Sequence, residues 1–273
     1  MFRFYYTGPR TDVSHRFFTS PRPLVFAHRG GAGLAPENTI AAFDNGLALG
    51  ADGLEMDVHL SRDGHVVVHH DPALDRTTNL RGLVSEHTAE ELSRCDAGYY
   101  FRAQGRFPFR GRGLGVPSLA EVMGHYHDVP IIIEMKVNSV DLARAVIDVV
   151  RRAGAVDRVC LGSFGLRALR TVRQLEPAIA TSASREEVRW ALYRSWCRGP
   201  VARVAYGGFQ VPEWSGRTRV VSPRFVADAH RAGLVVHVWT VNQETDARRL
   251  LGWGVDGLIT DRPDVIVPIV TQV

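Results

Sequence analysis

The chain has 273 residues, 45% of them hydrophobic and 23% charged, the balance of one α/β domain with a substantial core. Its net charge of +4 and pI near 9.2 come from Arg far more than Lys. That favours phosphate-bearing substrates or anionic surfaces, and without a Lys/Arg stripe interleaved with aromatics it excludes a nucleic-acid partner.

Residues 1–23 lack the long apolar run of a signal peptide, and no window approaches the roughly 20 apolar residues of a transmembrane helix. They are expected to form an N-terminal arm packed on the domain. Its residues Phe2, Arg3, Tyr5, Tyr6, Phe17 and Phe18 are the candidates for any contact with a membrane surface. Cys95, Cys160 and Cys197 are far apart, with neither CxxC nor Cys/His ligand spacing. Reduced thiols in a cytoplasmic protein are expected, rather than a disulfide frame or a zinc site.

The domain proper, 24–273, opens with a continuous apolar run over 24–27 before His28, the pattern of a strand buried on both faces. Asn38 is a plausible N-cap for a helix reaching about Leu49 and ended by Gly50. Over 53–59, Leu54, Met56 and Val58 face one way and Glu55, Asp57 and His59 the other. Asp63-Gly64 predicts a hairpin returning over 66–70. A two-residue loop puts His70 opposite Asp57, and a bulged turn shifts this by one, so either way His70 returns near the carboxylates. Residues 71–117, rich in Gly, Arg and aromatics, are an irregular insert of the kind that often serves as a lid or contacts substrate.

A short helix over 119–126 follows, then regular alternation. Strands are predicted at 130–136, 159–164, 178–183, 207–211, 234–240 and 257–261, and helices at about 139–153, 165–176, 184–196, 222–232, 243–252 and 262–270. Leaving out the hairpin, eight strand–helix units make a (β/α)8 TIM barrel with an insert after the second strand. A doubly wound sheet is disfavoured, because no GxGxxG follows the first strand and polar residues recur at strand C-terminal ends, Asp261 among them.

Glu55, Asp57 and Glu134 are three carboxylates from two adjacent strands. Bare, they would repel one another and be costly to bury. One hard divalent cation, Ca²⁺ or Mg²⁺, relieves this, and all-oxygen ligation disfavours zinc. The plainer alternative pairs them with Lys136 or an Arg. His28 and His70 converge on the same rim and suit general acid–base work, and Arg29 offers a planar fork for phosphate oxygens. Lys136 suits either a phosphate oxygen or an ion pair with a ligand carboxylate. Trp239 suits a wall for an apolar part of the substrate, or packing. His69 is expected to face away from the site, His237 to pack in the barrel, and Asp71 to orient the turn behind His70.

These residues resemble the glycerophosphodiester phosphodiesterase family of metal-dependent TIM barrels. The resemblance is carried by HRGGAGLAPENT (28–39), GLEMDVHLSRDGHVVVHHDPALDRTTN (53–79), VPSLAEVM (116–123), IIIEMK (131–136), GSF (162–164), VWTVN (238–242) and GLITDRPD (257–264). It implies hydrolysis of a small-molecule glycerophosphodiester to glycerol phosphate and an alcohol. It also implies Glu55, Asp57 and Glu134 on the metal, His28 and His70 as the acid–base pair, and Arg29 and Lys136 on phosphate. The match is weak over 185–216 and absent before Arg22. The runner-up is a lysophospholipase D-type phosphodiesterase, which needs an apolar groove from the insert aromatics or from Trp190, Trp196 and Trp214. A catalytically silent, ligand-binding barrel is disfavoured because every motif position is filled.

Overall fold

A computed structural model describes residues 15–197, 199 and 204–272. Phe2, Arg3, Tyr5 and Tyr6 lie outside the described residues. Eight parallel strands form the barrel: β1 (Leu24–His28), β2 (Gly53–Leu60), β3 (Ile131–Met135), β4 (Val159–Gly162), β5 (Ala180–Thr181), β6 (Gly208–Pro212), β7 (Val235–Trp239) and β8 (Gly257–Thr260). Each pairs with the next, β8 returns to β1, and a parallel bridge from Ser182 to Gly208 joins β5 to β6. The outer helices are Ile40–Ala48, Leu119–His125, Val140–Arg152, Leu166–Leu175, Arg185–Trp196, Pro223–Arg231, Glu244–Leu251 and Pro263–Val270.

Period-two alternation sorts each strand. Ala27, Leu54, Met56, Val58, Ile131, Ile133 and Met135 point outward into one apolar shell beneath the helices, while β6, β7 and β8 feed a second. The inward residues Phe26, Ile132, Cys160, Ala180 and Ile259 fill the barrel's N-terminal end. Phe17 closes that end, stacked on Phe26 at 5.8 Å and only 4% exposed. Phe17 therefore has no face left for a lipid surface. Burial in the same layer pushes His237 down to about 4, consistent with a packing residue. No helix among the described residues is long and apolar enough to cross a membrane.

Two local expectations change. The cap of the first helix is Thr39, whose side chain accepts from Ala42 N, and not Asn38, which lies in the left-handed region at φ 58°. In the hairpin, Val58 pairs with Val68 and His59 with Val67, and His69 N donates to Asp57 O at 2.9 Å. The one-residue shift is the real register. Ser61 pairs with His65 around a three-residue loop whose last member, Gly64, has φ +79°, where any side chain would be strained.

The insert is less irregular than its composition suggests. It contains a helix at Ala89–Ser93, and its Leu74, Val84, Leu92, Cys95, Ala97 and Val116 form a core together with Val67 of the hairpin. Its aromatics pack on one another, Phe101 against Phe109 at 5.3 Å, with Arg110 over Phe107 at 3.8 Å.

Candidate active site

Strand register places the charged residues side by side at the barrel's C-terminal mouth. β1 sets His28 beside Glu55, and β2 sets Asp57 beside Glu134. His28, Arg29, Glu55, Asp57, His70, Glu134, Lys136 and Trp239 all line one cavity of about 920 Å³, and no residue of 71–117 does.

Both imidazoles are backed by carboxylates. His28 Nδ1 lies 2.7 Å from Asp261 Oδ1, and His70 Nδ1 lies 2.6 Å from Asp71 Oδ1. An ionised carboxylate only accepts, so each Nδ1 donates and each Nε2 is left for proton exchange. Asn242 fixes Asp261 in turn, donating from Nδ2 at 2.9 Å. Burial works against the charged form of His28, but the Glu55 charge and the Asp261 hydrogen bond outweigh it and raise its pKa. Burial prevails at His70 and lowers its pKa despite Asp57 and Asp71, with Arg29 and Lys136 adding repulsion. His69 turns away, its Nδ1 2.8 Å from Asp71 O and its Nε2 3.1 Å from Thr77 Oγ1.

The carboxylates are strained electrostatically. Glu55 is 7% and Asp57 2% exposed. Burial, with Asp57 alongside, pushes Glu55 up to about 7. Burial also pushes Glu134 up to about 8, against the pull of Lys136 and with Asp57 and Glu55 adding to the rise. Glu134 Oε1 is buried with no hydrogen-bond partner, a cost no native site bears without a reason. Gly162 leaves room for this carboxylate, since a Cβ there would stand 2.5 Å from Glu134 Oε2. Among the described residues no three acidic, His or Cys side chains form a ready-made ligand cluster. Asp57 instead turns to cations, with Lys136 Nζ on Oδ1 and Arg29 Nε on Oδ2, each at 3.2 Å. An orphaned buried oxygen and a set of hard oxygen donors nevertheless fit a Ca²⁺ or Mg²⁺ ion.

Linkage gives this an observable consequence. A carboxyl whose folded pKa is raised stabilises the fold at acid pH and loses that contribution as pH rises through the folded value. Melting temperature of the cation-free protein should therefore fall between about pH 5 and pH 8, through Glu55 and Glu134. Saturating Ca²⁺ or Mg²⁺ should abolish that fall. A cation-free melting temperature flat or rising across this range would contradict the assignment.

A charge network around Arg29 escaped the sequence reading. Arg29 Nη1 donates to Glu37 Oε1 at 2.9 Å, and its backbone N to Glu55 Oε2 at 3.0 Å. Arg76 grips both Glu37 oxygens at 2.7 and 2.8 Å and also holds Asp71, the partner of His70. Glu37, through burial overcome by Arg76 and Arg29, drops to about 2. Asn38 Nδ2 donates to Asp57 Oδ2 at 3.1 Å. Arg29 and Asn38 are two of three non-glycine residues with positive φ among those described, and such strain gathers at functional sites. The signal was present in PENT and DRTT, motifs whose residues carry no chemistry until the loops fold together.

The sequence profile of the glycerophosphoryl diester phosphodiesterase family matches residues 28–265. A glycerophosphodiester phosphodiesterase of Caldanaerobacter subterraneus subsp. tengcongensis is 32% identical over 256 residues, 92% of this chain and 99% of that protein. The crystal structure of a glycerophosphoryl diester phosphodiesterase domain from Mycobacterium tuberculosis superposes with a TM-score of 0.80 over 92% of this chain and all of that one, at 23% identity. It supports the fold alone. An Oleispira antarctica phosphodiesterase in complex with the product sn-glycerol-3-phosphate superposes with a TM-score of 0.73, at 28% identity, over 92% of this chain and 97% of that one. With barrel, mouth and motifs all in agreement, the chain belongs to the glycerophosphoryl diester phosphodiesterase family.

Proposed function

We propose that the cavity hydrolyses glycerophosphodiesters to sn-glycerol 3-phosphate and an alcohol with one divalent cation, Ca²⁺ or Mg²⁺, held by Glu55, Asp57 and Glu134. The observation that carries this reading is the buried Glu134 carboxylate beside Asp57, whose Oε1 has no hydrogen-bond partner, facing the cavity shared by two carboxylate-backed imidazoles. A cation bound there supplies Lewis acidity toward a non-bridging phosphoryl oxygen. Arg29 and Lys136, placed at the two oxygens of Asp57, bring donors to the remaining phosphate oxygens. His70 Nε2 takes the proton from the nucleophile, either water or the neighbouring glycerol hydroxyl. His28 Nε2 gives one to the departing alcohol, the order in which their basicities stand. Trp239, edge-on to Phe164 at 6.1 Å, walls the substrate. The unpaired thiols Cys95, Cys160 and Cys197 suit a reducing compartment such as the cytoplasm.

The test is release of glycerol phosphate from glycerophosphoethanolamine, lost on chelation and restored by Ca²⁺ or Mg²⁺. Failure to cleave any glycerophosphodiester with either cation present sinks the reading.

Arg76 acts here as a positioning residue, since it touches Glu37 and Asp71 rather than substrate. Arg76→Ala should lower kcat/KM by about tenfold. Its side chain is 48% exposed, so the melting temperature should barely move. Arg76→Lys, lacking the bidentate fork, should recover little. Unchanged kinetics alongside a lowered melting temperature would reduce Arg76 to a structural part.

A further inference from the structure

Two polar side chains on the wall of the catalytic cavity take no part in the reaction described above. Along β3, β4 and β5 the inward positions Ile132, Cys160 and Ala180 make one layer, and two residues further on Glu134, Gly162 and Ser182 make the next. Glu134 pairs with Gly162, and Ser182 bridges to Gly208 on β6, two residues before Gln210. A Cβ built on Gly162 would stand 2.5 Å from Glu134 Oε2, 3.3 Å from Gln210 Oε1 and 3.4 Å from Ser182 Oγ. Oxygens from three strands thus converge on one space that a glycine leaves open. Glu134, Ser182 and Gln210 all line the cavity.

We infer that Ser182 and Gln210 form a subsite for the terminal hydroxyl of the substrate's glycerol. The inference rests on the proposed hydrolysis and names the residues that select its glycerol arm. Both side chains keep hydrogen-bonding capacity for a ligand. The bonds that hold Ser182 are made by its backbone, to Leu161 O and from Arg173 Nη2 at 3.0 Å, which leaves Oγ to the cavity. Gln210 Nε2 meets the Cys160 thiol at 3.6 Å, a weak acceptor, while Oε1 faces the space above Gly162. Ser163 lines the same cavity but is already spent, donating to Met135 O and accepting from Gly165 N. A hydroxyl both donates and accepts, so one seated above Gly162 gives its proton to Gln210 Oε1 and accepts from Ser182 Oγ. The space lies one strand beyond Glu134, within reach of an arm whose phosphate sits at the charged mouth. Across glycerophosphodiesters the alcohol varies and the glycerol does not. A constant arm suits this enclosed wall, where Ser182 is 3% exposed, and a variable one suits the open side, where Trp196 and Trp214 are 59% and 52% exposed.

The test compares kcat/KM of the intact protein, with its activating cation, on glycerophosphoethanolamine and on an analogue built from propane-1,2-diol. Joined to phosphate through its primary oxygen, that diol keeps the neighbouring hydroxyl, and with it either choice of nucleophile, and lacks the terminal one alone. Buried groups left unpaired by a missing hydroxyl penalise the analogue. Wild type should prefer the glycerol diester by about 10–10²-fold. Gln210→Met keeps the side-chain volume and Ser182→Ala removes one oxygen, so neither should disturb the barrel. Each should cut the preference severalfold and the double variant should abolish it, the loss falling on the glycerol diester. Cleavage of both diesters by wild type without preference overturns the subsite and leaves the proposed function standing. A preference that survives the double substitution also overturns it. Failure of wild type to cleave any diester removes the reading beneath it.

Discussion

Glu134→Ala should lower turnover of glycerophosphoethanolamine at saturating cation by about 10²–10³-fold, roughly 3–4 kcal/mol in the barrier. The substitution removes a carboxylate whose Oε1 has no hydrogen-bond partner in the cation-free state. For the same reason it should not weaken the cation-free fold at alkaline pH. Near pH 8 the wild type begins to carry charge on this buried carboxylate near Asp57 and Glu55, a charge that Lys136 only partly offsets, and deleting it relieves more than the small void costs. Activity and stability should therefore move apart, turnover collapsing while the cation-free melting temperature at pH 8 holds or rises. The increase in melting temperature on adding Ca²⁺ or Mg²⁺ should shrink as well, because binding to the native state stabilises it by mass action. Near-wild-type turnover, or an undiminished response to the cation, would remove Glu134 from the ligand set.

Glu134 also marks how far the sequence reached. Period-two alternation in GLEMDVHL was enough to put Glu55 and Asp57 on one face, and strand counting brought Glu134 to the same end of the adjacent strand, where the register sets it beside Asp57. The predicted helix starts at 139, 184 and 222 fall on serines that cap the observed helices. Asn38 failed as a cap because Thr39 was the better-placed oxygen, and its left-handed backbone frees its amide for Asp57. Local propensity carries no trace of that tertiary demand. The pairings of His28 with Asp261 and of Glu37 with Arg76 join positions 233 and 39 residues apart. No periodicity links such partners, and only barrel closure and the folded insert bring them together. The insert itself was opaque because its core rests on scattered single apolar residues without a helical or strand period.

His70→Ala should cost about 10²–10⁴-fold in kcat and leave the cation response intact, which separates a proton carrier from a ligand. Its imidazole meets Asp71 through Nδ1 and takes no part in the oxygen set of Glu55, Asp57 and Glu134. His28→Ala should cost a similar amount on a natural diester, whose departing alcohol is a poor leaving group that must be protonated. The two then diverge on a nitrophenyl diester. Nitrophenolate departs without a proton, so His28→Ala should recover most of its loss, whereas His70→Ala, lacking the base for the nucleophile, should recover little. The opposite pattern would exchange their roles, and equal recovery would mean neither imidazole moves a proton in the slow step. Arg76→Ala offers the internal control. It leaves both imidazoles in place and loosens only the Glu37–Arg76–Asp71 brace, so its smaller loss should be the same on both substrates.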